Sequence, residues 1–235
     1  MLPLRDDIPS RTFPGVTVFI IVLNVIAFLN ELRLGPYLED FLRDYALVPL
    51  RYTDGSVASH FSLFEQAVPF VSSMFLHGGW LHLIGNMWTL WIFGDNVEDR
   101  LGHGRYLGFY LLGGLAAGVV HVFTNSGSEI PTIGASGAVA AVMGSYFRFY
   151  PHARVETVIP PLFFGPVFDL PAVLFLGWWA LLQFFNGSLS LAGPQEAGGV
   201  AWWAHVGGFA FGMIVSSITA RKAPRRRYEE REKAW

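Results

Sequence analysis

Ser136 and His205 are the residues of this chain best placed to do covalent chemistry together. The serine stands in Gly134-Ala135-Ser136-Gly137, where an irregular loop turns into an apolar run. The histidine stands in Ala204-His205-Val206-Gly207-Gly208, with Gly212 beyond it. An imidazole within reach of a hydroxyl takes its proton, lets the oxygen attack a carbonyl and later returns the proton to the leaving group, which is acyl transfer. The tetrahedral intermediate needs donors. His82 and Asn86, four residues apart and so on one helical face, supply two, and the backbone N–H of Ser136 is the usual third. Each residue also has a plainer reading: Ser136 as a helix N-cap, His205 as a structural hydrogen-bonder, His82 and Asn86 as polar glue between helices. The soluble hydrolase elbow Gly-x-Ser-x-Gly is excluded, because Ala138 stands where its second glycine would be. The chain has no cysteine and no His-Glu-x-x-His, so neither a thiolate nor a zinc mechanism is expected, and no metal.

The elements that must position these groups are apolar and long. The chain is 52% hydrophobic and only 14% charged, the balance of a protein whose main solvent is lipid, so the lipid bilayer is its first expected partner. A formal net charge of −2 gives no reason to expect a nucleic acid. Crossing about 30 Å of hydrocarbon takes roughly 20 residues. Six runs qualify as spans: Gly15 to Leu32, Gly79 to Phe93, Tyr106 to Phe123, Ser136 to Phe149, Leu170 to Phe185 and Val200 to Ala220. Six spans put both termini on one side. Of the 16 Lys and Arg, all but Arg33, Arg43 and Arg51 then fall on that side, which the positive-inside rule makes cytoplasmic.

Spans two, four and six all start from the opposite face, so His82, Ser136 and His205, each within about two turns of its span's start, share one depth. Span four is short, so its serine end is expected in a recess beneath the outer surface. Gly208 and Gly212 make a small-residue stripe in line with His205, answered on span four by Gly137, Ala140, Ala141 and Gly144, so these helices are expected to pack closely and bring imidazole to hydroxyl. The acids Asp95, Glu98, Asp99 and Asp169 fall at the other face, with Asp169 the expected cap of span five, while Glu129 and Glu196 lie in loops. A dyad is therefore expected rather than a triad. His60, His103, His121 and His152 are expected to take no catalytic part. The loop from Arg33 to Leu76 is too long and too aromatic for a plain connector and reads as a structured element on the outer leaflet. Trp178, Trp179, Trp202 and Trp203 read as interface anchors, with the lining of a lateral gate as the alternative.

These motifs resemble the rhomboid family. His77 followed by His82-Leu83-Ile84-Gly85-Asn86 is similar to its second-helix motif, Gly134-Ala135-Ser136-Gly137 to its serine motif, and Ala204-His205-x-x-Gly208-x-x-x-Gly212 to its sixth-helix motif. Gly94, Glu98 and Gly102 are similar to a structural motif after helix two. Order and spacing agree from about Pro14 to Ala220. The Trp-Arg pair of some members' first loop is missing; Arg43 to Arg51, around Ala46-Leu47-Val48-Pro49, stands there instead.

The resemblance implies an all-α six-transmembrane-helix bundle with a long structured first loop. It divides the chain into a cytoplasmic segment 1–14, a membrane domain 15–220 and a basic cytoplasmic tail 221–235. It implies an intramembrane serine endopeptidase that cleaves single-pass or other transmembrane substrates in or near their membrane segments, with access between helices two and five. Ser136 and His205 would be catalytic, His82, Asn86 and the Ser136 backbone would form the oxyanion hole, and no cofactor would be needed. The expected location is a plasma (inner) membrane. A non-proteolytic relative would lack the serine or the histidine, and both are present. A transporter or channel would show broken helices in symmetric halves or paired midplane charges, and the sequence has neither.

Overall fold

The computed structural model describes residues 1–158, 166–192 and 200–219. The chain is mostly helical. Long helices α1 (Gly15–Leu34), α6 (Trp80–Leu101), α7 (His103–Thr124), α8 (Ser136–Phe149), α9 (Ala172–Ala192) and α10 (Trp202–Thr219) follow the six apolar runs in order. Among the described residues three helical stretches are long and apolar enough to cross a membrane alone: α1 with its continuation to Tyr45, α7, and α9. A fourth is added if Leu63–Phe75 and Trp80–Leu101, bent by 81° at their junction, count as one span. The six-span expectation is thus met in helix order but only partly in span character. The helix that starts at Ser136 has 14 residues, about 21 Å of rise, and the last eight residues of α6 include Asp95, Glu98, Asp99 and Arg100.

The α8 helix forms the axis. Everything from Gly137 to Tyr146 is buried, and α6, α7, α9 and α10 pack around it. Small residues let α10 lie directly on it: a Cβ at Gly208 would overlap the Gly137 carbonyl oxygen, one at Gly212 the Ala141 oxygen, and one at Gly144 the Phe209 oxygen. Lipid offers no hydrophobic drive between helices, so close backbone approach of this kind supplies the packing energy. Ser216 donates to Ser145 at 2.6 Å further down the same seam.

An all-α fold is corrected by a small sheet at the end that holds the N-terminus. β1 (Leu2–Asp6), β2 (Arg154–Val158) and β3 (Phe168–Pro171) pair antiparallel in the order β1-β2-β3. Asp169 consequently lies in β3 opposite Glu156 and does not cap α9, as was expected of it. The Trp88 indole N–H of α6 donates to the Pro3 carbonyl at 2.7 Å, so β1 is held along that helix. Glu98 does the capping for α1 from a distance: its carboxylate accepts from the backbone N–H groups of Val16 and Thr17 at 2.9 and 2.8 Å. Orphan donors of a helix start are satisfied this way, with the carboxylate favourably placed against the helix dipole.

The first loop is structured, as expected, into α2 (Leu38–Tyr45), α3 (Leu50–Thr53), α4 (Gly55–Ala58) and α5 (Leu63–Ser72). Ser62 and Glu65 form a capping box at the start of α5. Leu63 and Phe64 are 87% and 78% exposed, so the head of α5 presents an apolar face outward. The loop also grips the segment before α8. Leu47 and Thr132 exchange backbone hydrogen bonds at 3.0 and 2.9 Å, and Leu50 N–H donates to Ser128 at 2.9 Å.

Candidate active site

Ser136 is the first helical residue of α8, with Ala135 at the cap position, so its hydroxyl is free of capping duty. The Gly134 N–H donates to the Ser73 carbonyl at 2.8 Å, which anchors the loop that delivers the serine. His205 comes from the first turn of α10. Its Nε2 lies 2.8 Å from Ser136 Oγ, and its Nδ1 lies 2.8 Å from Gln183 Oε1 of α9. The Trp179 ring stands 5.8 Å from the imidazole, tilted by 34°, and the Trp202 ring 6.4 Å away and edge-on. Of the four tryptophans read as interface anchors, these two therefore also pack around the histidine.

His82 and Asn86, from the first two turns of α6, face the same place. Gly134 has φ +128°, and a Cβ there would come within 2.6 Å of His82 Nε2 and 3.7 Å of Asn86 Nδ2. Glycine is required on both counts, conformation and space. Gly78 N–H points to His82 Nδ1 at 3.4 Å, which leaves Nε2 as the protonated, donating nitrogen of the neutral ring beside Gly134. Asn86 Nδ2 is 3.0 Å from His77 Nε2. The backbone of His77 in turn donates to the Glu31 carboxylate of α1 at 3.1 and 3.2 Å. The donors thus rest on a chain of contacts back to the first helix. Ser136, His205, His82 and Asn86 all line one cavity of about 560 Å³. Ser136 and Gly134 also border a neighbouring cavity of about 30 Å³, walled by Met74, Ala117 and Gly118, room for about one water.

One residue of this neighbourhood, Gln183, escaped the sequence reading, and another, His121, was given no part in it. His121 was set aside as a border residue, yet it lines the large cavity, with Nε2 2.7 Å from Thr132 Oγ1 and Nδ1 3.1 Å from Asn125 Nδ2. Gln183 was passed over inside an apolar run. A glutamine in a lipid-spanning helix is itself a signal, since a polar amide there is costly unless it is paired. Among the described residues the ring nitrogens of His205 meet Gln183 and Ser136, and Glu129 is not among their hydrogen-bond partners. Glu196 and the basic tail lie outside the described residues.

A polytopic helical membrane protein, with a serine and a histidine in contact on the wall of a polar recess, is what this geometry defines. A family model for the Rhomboid domain matches residues 65–222, and the chain belongs to the rhomboid family. It is 31% identical over 156 residues to the presenilin-associated rhomboid-like protein A, mitochondrial, of Danio rerio, a match over 63% of this chain and 36% of that protein. Identity to RHOMBOID-like protein 5 of Arabidopsis thaliana is 37% over 75 residues, 32% of this chain and 24% of the relative. Rhomboid protein 1, mitochondrial, of Saccharomyces cerevisiae is 24% identical over 223 residues, 92% of this chain and 57% of the relative. The chain therefore spans between about a quarter and little more than half the length of these relatives.

Proposed function

We propose that the chain is an intramembrane serine endopeptidase that hydrolyses peptide bonds in or near the transmembrane segments of other membrane proteins. The observation that carries this is the 2.8 Å contact between Ser136 Oγ and His205 Nε2 on the wall of the recess. Ser136 is the nucleophile: Oγ attacks the scissile carbonyl while Nε2 takes its proton, and the imidazolium gives that proton to the leaving amine. A water activated by the same nitrogen then hydrolyses the acyl-enzyme. The oxyanion is met by the first-turn N–H of Ser136, by His82 Nε2–H and by the Asn86 amide. Gly208 and Gly212 keep the histidine helix against the serine helix, Gly137 lets α7 and α10 close on the serine helix, and Gly134 makes room for His82 beside the serine. No cofactor takes part in these steps.

In this reading residues 15–220 form a six-span membrane domain between the segment 1–14 and the tail 221–235, with both termini on the Lys- and Arg-rich side. Two of the relatives are named as mitochondrial, which supports a mitochondrial membrane in place of the plasma membrane expected from sequence. The test is cleavage of a model single-pass substrate in detergent by wild type, Ser136→Ala and His205→Ala. Each variant is expected to lose about 10⁴-fold or more in kcat. Cleavage by Ser136→Ala at the wild-type rate overturns the assignment.

A further inference from the structure

A base can accept a proton from serine only if the nitrogen facing the serine carries none. In a neutral imidazole that depends on what the other nitrogen is doing. Triads use a carboxylate for this purpose; among the described residues the partner of His205 Nδ1 is an amide, Gln183.

The amide's orientation follows from its other contact. Gln183 Nε2 lies 3.2 Å from the Trp179 carbonyl, one turn back on the same helix. A backbone carbonyl only accepts, so the nitrogen end of the amide must face it, and the oxygen end must face the histidine. An amide oxygen also only accepts. His205 Nδ1 is therefore the donor, and the neutral ring has its proton there. Nε2 is left with a lone pair, and the Ser136 hydroxyl donates to it across 2.8 Å. The polarity of the whole relay, hydroxyl to imidazole to amide to carbonyl, is set by one main-chain oxygen at its far end. Gln183 is only 6% exposed, so no solvent competes for its two contacts, and Trp179 supplies both the anchoring carbonyl and the ring beside the imidazole.

We propose that Gln183 is the positioning residue of this site: it holds His205 in the tautomer whose Nε2 accepts from Ser136, the part that a carboxylate plays in a triad. The assignment rests on the serine–histidine reading above. Gln183 does not touch the substrate in this scheme. It acts through His205, so its effect falls on turnover and not on binding.

The experiment compares purified wild type, Gln183→Leu and Gln183→Glu on the same single-pass substrate in detergent, with Ser136→Ala and His205→Ala alongside. Rates are divided by the folded fraction from thermal melts. Leucine keeps the approximate volume and removes the acceptor. It is expected to lower kcat about tenfold, the rate equivalent of one neutral hydrogen bond, with KM changed less than about twofold. Glutamate restores an acceptor and is expected to recover most of that loss, whereas a packing role predicts that a buried acid does worse than leucine. Wild-type kcat in Gln183→Leu, or Gln183→Glu no faster than Gln183→Leu, overturns the positioning role while Ser136→Ala and His205→Ala remain inactive. Activity in those two controls sinks the dyad instead. A second measurement needs no substitution at 183: nitrogen NMR of ¹⁵N-histidine-labelled wild type, with the His205 signals assigned by their loss in His205→Asn. The neutral ring is expected to be protonated at Nδ1. Protonation at Nε2 overturns the proposal whatever the kinetics show.

Discussion

Two polar clusters are built into this apolar bundle, one at each end of α6, and they differ in how much hydrogen-bonding capacity is left over. Around Glu98 nothing is left. Oε1 accepts from Val16 N–H at 2.9 Å and meets His103 Nδ1 at 2.5 Å, and Oε2 accepts from Thr17 N–H and Oγ at 2.8 and 2.7 Å. The carboxylate is fully buried and fully used. Around Ser136 the groups are also polar and enclosed by helices, but His82, Asn86, Ser136 and His205 open on a cavity of about 560 Å³. Both clusters meet the rule that polar side chains inside a membrane protein need partners. Only the second keeps donors and an acceptor for a guest. Polarity within a span therefore separates a site from a strut only when the spare capacity is counted.

The comparison assumes that the recess stays open because a rigid seam props it, and the seam is where the largest effect is expected. Gly208→Val drives a side chain into the Gly137 carbonyl, and loss of the folded protein is expected, read as collapse of the thermal melt and of the monodisperse yield in detergent. Gly108→Ala, a helical glycine with nothing within 4 Å of its virtual Cβ, is the control and is expected to fold as well as wild type. Equal stability of the two would mean that the close approach is not what holds α8 to α10.

A crossed pair of substitutions then tests the two clusters against each other. Glu98→Ala strands the donors of α1 and is expected to cost about 3 kcal/mol or more in stability, with kcat per folded molecule unchanged. His82→Ala is expected to do the reverse, lowering kcat about 10²-fold with little change in KM or melting temperature. If Glu98→Ala loses turnover at unchanged stability, or His82→Ala loses stability at unchanged turnover, the distinction between strut and site fails.

Much of this arrangement was legible in sequence because membrane helices are written in local composition. The run from Ser136 to Phe149 matches α8 at both ends, and placing His82, Ser136 and His205 at one depth needed only the helical rise and alternating direction. What was illegible depends on contacts far apart in the chain. The run ending at Phe93 continues as helix to Leu101, and there Asp95 and Asp99 accept from Ser10 Oγ and from the Arg11 and Thr12 N–H groups, all more than 80 residues earlier in the chain. Strands of five and four residues carry too little alternation to announce themselves, and β1 exists only because β2, some 150 residues later, pairs with it. Gln183 went unnoticed, and His121 was given no part, for a related reason: the weight of a polar side chain lies in what it meets, and the partners that tie these two to the site, His205 and Thr132, are on other elements.

Asp6 stands between the two kinds of cluster, and it gives the smallest and most local effect. At the end of β1 its carboxylate accepts from Tyr146 Oη and, at 3.3 Å, from Asn96 Nδ2, and among the described residues no cation meets it. Burial, with Asp95 and Asp7 adding like charge, pushes it up to about 7 despite the hydrogen bond from Tyr146. In the undocked segment the same group titrates near 4. Below about pH 4 it is neutral in both states and costs nothing. Between about 4 and 7 the free segment gives up its proton while the docked one keeps it, so docking weakens as pH rises through that window, and above about 7 the penalty is complete. Asp6→Asn removes the charge and keeps an acceptor. Amide exchange across Leu2 to Asp6, corrected for the intrinsic pH dependence, is expected to show protection falling from pH 4 to 7 in the wild type and flat in Asp6→Asn, with the variant better protected at neutral pH. Identical profiles would mean that the strand is held without regard to this carboxylate, and that a half-buried acid held by hydrogen-bond donors alone counts as a satisfied strut after all.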